Sequence, residues 1–182
     1  MQRRSAGILL MLFAAVVSRA EVVDADAHGF TVRHSVTRDA DRLDAYVAAV
    51  RDIGAWWNPD HTMSGHSANL YIDTAVPGCF CETLGQGAAL AHLSVTFVNP
   101  GVLVRMTGGL GPLGLMGVAG NLTWEFESTE AGTVVTQQYA VGGYLAGGLD
   151  AVAPAVDSVL VEALERLKSY AETGDPAPPA GE

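Results

Sequence analysis

The sequence has 182 residues, of which 49% are hydrophobic and 16% are charged, and its formal net charge is −10. This composition is typical of one folded domain and excludes general disorder. The acidic balance argues against nucleic acids and anionic membrane surfaces as partners, because both bind basic proteins.

The first 20 residues are predicted to be a secretory signal peptide. Arg3 and Arg4 form a basic start, residues 6–17 are apolar, and residues 18–20 have the small-x-small pattern of a cleavage site. The apolar run is short for a bilayer-spanning helix, although a retained membrane anchor is the alternative. We expect the mature protein to begin near Glu21, to be periplasmic or secreted, and to have no stable membrane insertion after cleavage.

After a predicted linker over residues 21–29, the chain is expected to form a strand and then a helix. Apolar and polar residues alternate over 30–36, which is typical of a half-buried strand, and His34 shares its apolar face. The helix is predicted over 40–52, and Gly54 is a natural stop.

Two adjacent tryptophans, Trp56 and Trp57, follow this helix. They cannot both point into the same core, so one is expected to border a cleft, unless both simply cap the core. In the polar loop that follows, His61 and His66 are five residues apart, which is only a weak metal-binding pattern.

The middle of the chain is predicted to be a meander of antiparallel strands. Turn signals rich in Gly, Pro and Asn separate the strands at 85–87, 99–101 and 129–132. In the penultimate strand, apolar residues alternate with polar ones, so one face is expected to be buried. The predicted strands cover residues 69–73, 79–84, 88–98, 102–107, 120–127 and 133–141.

The longest helical pattern covers residues 150–170, and one face of it is apolar. Asp150 is the expected N-cap, Glu162 is placed to pair with Arg166, and Gly174 is expected to end the helix. Residues 174–182 are predicted to be a disordered tail. The apolar stripe consists of Val152, Val156, Val159, Leu160, Ala163, Leu167 and Tyr170.

This order of elements resembles the helix-grip fold of the START-like, or SRPBCC, superfamily. The likeness covers residues 30–173 and is carried by Trp56-Trp57, the turn at 98–101, the strand at 122–126 and the terminal helix. It implies an α+β fold, in which a curved antiparallel sheet of about seven strands wraps a long C-terminal helix and an N-terminal helix follows the first strand. The strings at 78–82 and 108–113 look most like exported bacterial members labelled as activators of a heat-shock-protein ATPase. Polyketide cyclases and lipid-transport proteins are relatives.

A bent sheet closed by one helix tends to leave an apolar cavity between them. The segment 108–120 alternates glycines with leucines and a methionine, so we expect it to form a movable lid, unless its leucines plug the core. The predicted ligand-binding residues are Trp57, Met106, Leu110, Leu113, Trp124, Tyr139, Tyr144, Val156 and Leu160.

Cys79 and Cys81 are expected on one face of a strand. A two-residue turn at 85–86 would place Cys79 opposite His92, and two sulfurs and an imidazole could bind a soft metal with one more ligand. The alternative is two packed thiols without a metal. A bond between the two sulfurs is not expected, because same-face neighbours on a strand lie farther apart than a disulfide allows.

The resulting functional prediction is an exported protein that binds a hydrophobic small molecule, lipid-like or polycyclic. No nucleotide-binding or hydrolase motif is present in the sequence, and we predict no catalytic residue, metal or cofactor. One alternative is a cyclase or isomerase that uses His34, His61 or Tyr144 for proton transfer in the same cavity. Another is a protein-interaction module with a filled core, whose protein partner the sequence does not identify.

Overall fold

Strands of alternating polarity pair into one antiparallel sheet in the computed structural model, which describes residues 21–177. The sheet has eight strands in the order β1-β2-β8-β7-β6-β5-β4-β3. The strands are β1 (Glu21–Asp26), β2 (Gly29–Arg38), β3 (Leu70–Ile72), β4 (Gly78–Gly85), β5 (Ala88–Asn99), β6 (Leu103–Gly108), β7 (Ala119–Thr129) and β8 (Gly132–Gly142).

Within residues 21–177, three α-helices accompany the sheet, namely α1 (Arg42–Arg51), α2 (Ile53–Trp56) and α3 (Ala153–Thr173). Short 3-10 helices lie at Pro59–His61, Ser67–Asn69 and Gly111–Leu115. This arrangement confirms the predicted α+β helix-grip fold, with one strand more than expected. In the described part of the chain, every helix is too short or too polar to cross a membrane.

The additional strand is β1, which occupies most of the segment assigned to a linker. It pairs with β2 because the carboxylate of Asp26 accepts hydrogen bonds from the amides of His28 and Gly29, which fixes the tight turn between the strands. The predicted signal peptide lies outside the described residues, as does the predicted tail beyond Ala177.

Helix α3 packs across the inner face of the sheet, mainly against β2. Its buried side chains include Leu160, Ala163 and Leu167, as the apolar stripe predicts. The expected N-cap is wrong, because the helix begins later and Val152 occupies that position without a side-chain cap. Gly174 ends the helix in the left-handed conformation, with φ 79°, as predicted.

The expected surface pair of Glu162 and Arg166 is absent among the contacts of the described residues. Arg166 instead donates from Nε to the carbonyl of Trp56, at 2.8 Å, and so ties α3 to the end of α2. Glu162 turns toward the loop after α2, where the side-chain amide of Asn58 contacts one oxygen of its carboxylate and the imidazole of His61 contacts the other.

A bulge distorts the pairing of β4 with β5. Phe80 pairs with Leu93 and Cys81 pairs with Ala91, so His92 is an extra residue on β5. Cys79 lies opposite Ser94, and its predicted pairing with His92 is wrong. The prediction placed the two-residue turn at 85–86, whereas Gly85 pairs with Ala88, so the turn is Gln86-Gly87 and the register at Cys79 moves by two residues.

Cys79 and Cys81 form a disulfide, with their Cα atoms 5.3 Å apart. The prediction that they are not joined is therefore wrong, and their sulfurs are not free thiolate ligands. Two steps along a regular strand span about 6.6 Å, close to the upper end of the range of about 4.4–6.8 Å that disulfides need, and the strand between Cys79 and Cys81 is shorter than that. No cluster of three or more His, Cys, Asp or Glu residues that could hold a metal occurs within residues 21–177.

Candidate functional site: an apolar cavity under the terminal helix

A cavity of about 470 Å³ lies between α3, strands β3 to β5 and two loops. One loop follows α2 and the other connects β6 to β7. Most of the lining is apolar, and the polar side chains are Asp60, His61, Thr62 and His92. The lining residues are Trp57, Asp60, His61, Thr62, Met63, Leu70, Phe80, His92, Leu110, Gly111, Pro112, Leu113, Met116, Val152, Ala155, Val156, Val159 and Leu160.

Five of the nine predicted ligand-binding residues line this cavity, namely Trp57, Leu110, Leu113, Val156 and Leu160. Both tryptophans after α1 are buried, but only Trp57 reaches the cavity, where its ring packs edge-on against Phe80. Trp56 donates its indole N–H to the carbonyl of Ala48 in the core instead.

The other four predicted residues do not line it. Met106, Trp124 and Tyr139 are buried on β6, β7 and β8, where core side chains fill the space under the helices. Tyr144 is 81% exposed. The prediction placed the cavity under the central strands β6 to β8. The structure places it nearer the edge of the sheet that ends in β3.

The loop from Leu110 to Met116, which is part of the predicted lid, covers one side of the cavity. Leu113 is buried beneath it, whereas Leu115 points outward and is 87% exposed. The hydroxyl of Tyr139 donates to the carbonyl of Gly108 at 2.7 Å and accepts from the amide of Leu110 at 3.0 Å. Tyr139 thus serves the site by holding the start of this loop, and burial raises the pKa of its hydroxyl.

A buried carboxylate holds the opposite loop. The Glu82 side chain is fully buried and accepts hydrogen bonds from the amides of Met63 and Ser64, at 3.0 and 2.5 Å, and from Nε2 of His92, at 2.9 Å. The pKa of Glu82 lies below its ordinary value. Burial alone would raise this pKa, but the hydrogen bonds with Ser64, Met63 and His92 stabilise the charged form and together outweigh burial.

Sequence reasoning missed the role of Glu82. The one signal is its position two residues after Phe80 on an otherwise apolar strand, where an isolated acid needs a partner. The partner could not be identified, because His92 reaches Glu82 only through the bulge in β5.

A second carboxylate lies at the mouth of the cavity. Glu162 on α3 accepts a hydrogen bond from the side-chain amide (Nδ2) of Asn58 at 2.5 Å and lies 3.0 Å from Nε2 of His61. Both members of the His61 pair are about one-third exposed, so this contact is at the rim, whereas Glu82 and His92 are buried and only His92 lines the cavity.

Of the three residues considered for proton transfer, only His61 lines the cavity. His34 is buried under α3 with Nε2 3.0 Å from Oδ1 of Asp157, away from the lining residues. Burial lowers the pKa of His34, and the charge of Asp157 opposes that effect only in part. Tyr144 is excluded by its exposure.

The family described as polyketide cyclase / dehydrase and lipid transport matches residues 27–172. None of the curated proteins matches the sequence significantly.

Several solved structures have the same fold. A protein of unknown function from Enterococcus faecalis, EF2215, is 12% identical, with a TM-score of 0.58 over 91% of this chain and 82% of its own. The Aha1 protein from Colwellia psychrerythraea, solved as a dimer, is 19% identical, with a TM-score of 0.52 over 79% of this chain and 97% of its own.

A third similar structure is StfQ, a di-domain aromatase/cyclase from the steffimycin biosynthetic pathway. It is 16% identical, with a TM-score of 0.53 over 80% of this chain and 51% of its own. At these identities, the three structures establish the shared fold and leave the activity to be argued from the site.

Proposed function

The chain belongs to the polyketide cyclase / dehydrase and lipid transport family, and we propose that it is an exported protein that binds a lipid-like or polycyclic small molecule. The observation that carries this proposal is the cavity of about 470 Å³, whose walls are mostly apolar side chains of α3, the sheet and two loops. Burying an apolar ligand there removes its surface from water, which is the main source of affinity.

The polar lining disfavours an anionic ligand. Within the described residues, the lining contains neither Lys nor Arg, and Asp60 lies among its polar members. A ligand carboxylate would lose its hydration without gaining a cationic partner, which is costly in an apolar site. The acidic net charge of the chain adds to this unfavourable effect.

Export is supported by the order of basic, apolar and small residues in the first 20 positions. Intact-mass analysis of the protein from its own producing cells tests it. The proposal expects a chain that begins near Glu21 in the periplasm or medium, and a protein that retains Met1 would contradict it.

A cyclase or isomerase activity in the same cavity is the second candidate. Two imidazoles line the cavity, and each lies within 3.0 Å of a carboxylate: His61 with Glu162 and His92 with Glu82. Histidine oriented by a carboxylate is a common proton-transfer arrangement. A protein-interaction module with a filled core is less favoured, because the cavity is open space.

Two measurements test the binding proposal. Native mass spectrometry of the protein purified from its own compartment should show a bound species of small-molecule mass. Pyrene, a rigid four-ring hydrocarbon, should raise the free energy of unfolding by about 2.7 kcal/mol when its concentration is a hundred times its Kd. Absence of both a bound species and an effect of pyrene on stability would contradict ligand binding. A bound species whose mass changes during incubation with the protein would favour the enzyme.

A further inference from the structure

Two loops at one end of the sheet contain no charged residue. One connects β6 to β7 over residues 109–118, and the other follows β8 over residues 143–149. Neither loop contains Asp, Glu, Lys, Arg or His. The strand pairing places the loops together, because Ala119, the first residue of β7, pairs with Gly142, the last residue of β8. Together, residues 109–118 and 143–149 form an apolar tip.

The apolar tip carries strongly exposed hydrophobic side chains. Among the large hydrophobic residues of the described chain, Leu115 and Tyr144 are the most exposed, at 87% and 81%. Met116, beside Leu115, is also exposed. Single exposed apolar side chains are ordinary on a protein surface, whereas several of them on neighbouring loops without any charge indicate an interaction surface.

The apolar tip is continuous with the cavity. Met116 lines the cavity and is also exposed at the surface, and Met63 does the same from the loop after α2. Apolar surface therefore extends from the interior of the cavity to the exterior of the protein. A hydrophobic ligand is poorly soluble in water and accumulates in lipid, so a lipid surface at the tip would bring it close to the cavity.

The charges around the apolar tip favour an uncharged lipid surface. Placing an ionised side chain in lipid is costly, so loops without charges are suited to enter the headgroup region of a bilayer. A tyrosine such as Tyr144 is typical of the boundary between membrane and water. Behind the second loop, the amide of Asp150 donates to the carbonyl of Asp26, which places two acidic residues at its base. These acids and the net charge of −10 disfavour an anionic surface.

The side chains of the apolar tip are poorly suited to a protein partner. A typical protein interface contains about ten direct hydrogen bonds and a polar rim. In residues 109–118 and 143–149, the hydroxyl of Tyr144 is the one side-chain group that can form a hydrogen bond. A lipid surface does not require such bonds, because its contribution is the removal of apolar side chains from water.

We propose that the apolar tip docks reversibly on a zwitterionic phospholipid bilayer, with Leu115 and Tyr144 entering its headgroup region. This inference goes beyond the proposed function, because it assigns a partner to the outer surface of the protein rather than a ligand to the cavity. Docking places the cavity beside the phase in which a hydrophobic ligand accumulates, and it requires no membrane-spanning helix.

The test measures binding to phosphatidylcholine vesicles by flotation, with protein purified from its producing cells and without added pyrene. We expect the wild-type protein to float with the vesicles. Leu115→Asp should lower the partition coefficient about tenfold or more, because a charge replaces a side chain that lipid removes from water. Leu43→Asp is the matched control and should keep the wild-type partition coefficient. Leu43 is 55% exposed on α1 and lies beside Gly101, in the turn at the opposite end of β6.

A variant in the second loop keeps the test independent of whether Leu115→Asp folds. Tyr144→Ala should lower the partition coefficient several-fold, because it removes the exposed aromatic ring. No flotation of the wild-type protein, or equal partition of all four proteins, would overturn the docking proposal. Either result would leave the proposed cavity function standing, because the vesicles are tested without its ligand.

Two further outcomes would also overturn lipid docking. Tighter binding to vesicles that contain phosphatidylglycerol would contradict an uncharged surface as the partner. Analytical ultracentrifugation tests whether a second copy of the chain covers the apolar tip instead. Self-association of the wild-type protein that is lost in Leu115→Asp would assign the tip to that second copy, whereas a monomer that floats with phosphatidylcholine vesicles supports docking on lipid.

Discussion

Glu162 of α3 lies 3.0 Å from Nε2 of His61, and this contact joins the terminal helix to the loop on the other side of the cavity mouth. Asn58 adds a second hydrogen bond to the same carboxylate. The two elements are more than a hundred residues apart in the chain, so a single acidic side chain connects both sides of the entrance.

Replacement of this carboxylate should open the mouth. We expect Glu162→Ala to speed the release of pyrene several-fold and to lower the free energy of unfolding by less than about 1 kcal/mol, because the pair is partly exposed. Stopped-flow fluorescence and urea denaturation measure the two effects. Glu165→Ala, which removes an exposed acid on the same helix, is the control. Equal release rates for the two variants would contradict the proposal that the contacts of Glu162 slow ligand release.

Filling the cavity should separate binding from stability. Val156 lines the cavity, so Val156→Trp is expected to weaken pyrene binding at least tenfold while changing the stability of the ligand-free protein little. Ala163 is buried in the core and does not line the cavity, so Ala163→Phe should instead destabilise the fold by about 1–3 kcal/mol. Calorimetric titration and urea denaturation check both variants. If Val156→Trp bound pyrene as tightly as the wild type, the ligand would lie elsewhere.

The start of the covering loop should depend on the hydroxyl of Tyr139. Tyr139→Phe removes the bonds to Gly108 and Leu110, and we expect the free energy of unfolding to fall by about 1–3 kcal/mol. Hydrogen exchange should quicken at the amide of Leu110, which NMR can follow. Tyr144→Phe is the matched control, because that side chain is exposed. Unchanged exchange at Leu110 would show that the loop is held by other contacts.

Acid should weaken the fold through Glu82. Its pKa is lowered in the folded protein, so the stability that it contributes is complete above the unfolded pKa of about 4.3 and is lost as pH falls through the folded value. Glu82→Gln should cost about 2–3 kcal/mol at pH 7 and flatten the decline in stability below pH 5. Urea denaturation from pH 3 to 7 measures this. Glu125→Gln, which replaces an exposed acid on β7, should keep the wild-type dependence of unfolding free energy on pH. If Glu82→Gln showed the same dependence, Glu82 would not be the source of the acid sensitivity.

The sulfurs of Cys79 and Cys81 should be unreactive until reduced. Thiol counting on the denatured protein is expected to find none before reduction and two per chain afterwards, with the protein monomeric under non-reducing conditions. The Cys79→Ser variant, which leaves Cys81 without a partner, should give one thiol without reduction. Two thiols in the unreduced wild-type protein would restore the original expectation.

Local patterns were sufficient to predict the fold. The alternation in β7, the turn residues at Asn99 and Gly132, and the apolar stripe of α3 each depend only on neighbours a few residues away, and the predicted strands and long helices formed, whereas β1 was missed. An amphipathic helix needs an apolar surface to cover its apolar face, and the predicted strands of residues 30–141 provide it as a sheet. The resemblance to the helix-grip fold added the order in which these elements pack.

Only the tertiary structure decided the site. A one-residue bulge in β5 placed His92 beside Glu82, and the path of β4 brought Cys79 and Cys81 close enough to bond. The curvature of the sheet and the position of α3 decided that Val156 lines the cavity while Trp124 is buried in the core. Burial, register shifts and contacts between distant segments depend on how all the elements pack together, and residue spacing along one element does not contain that information.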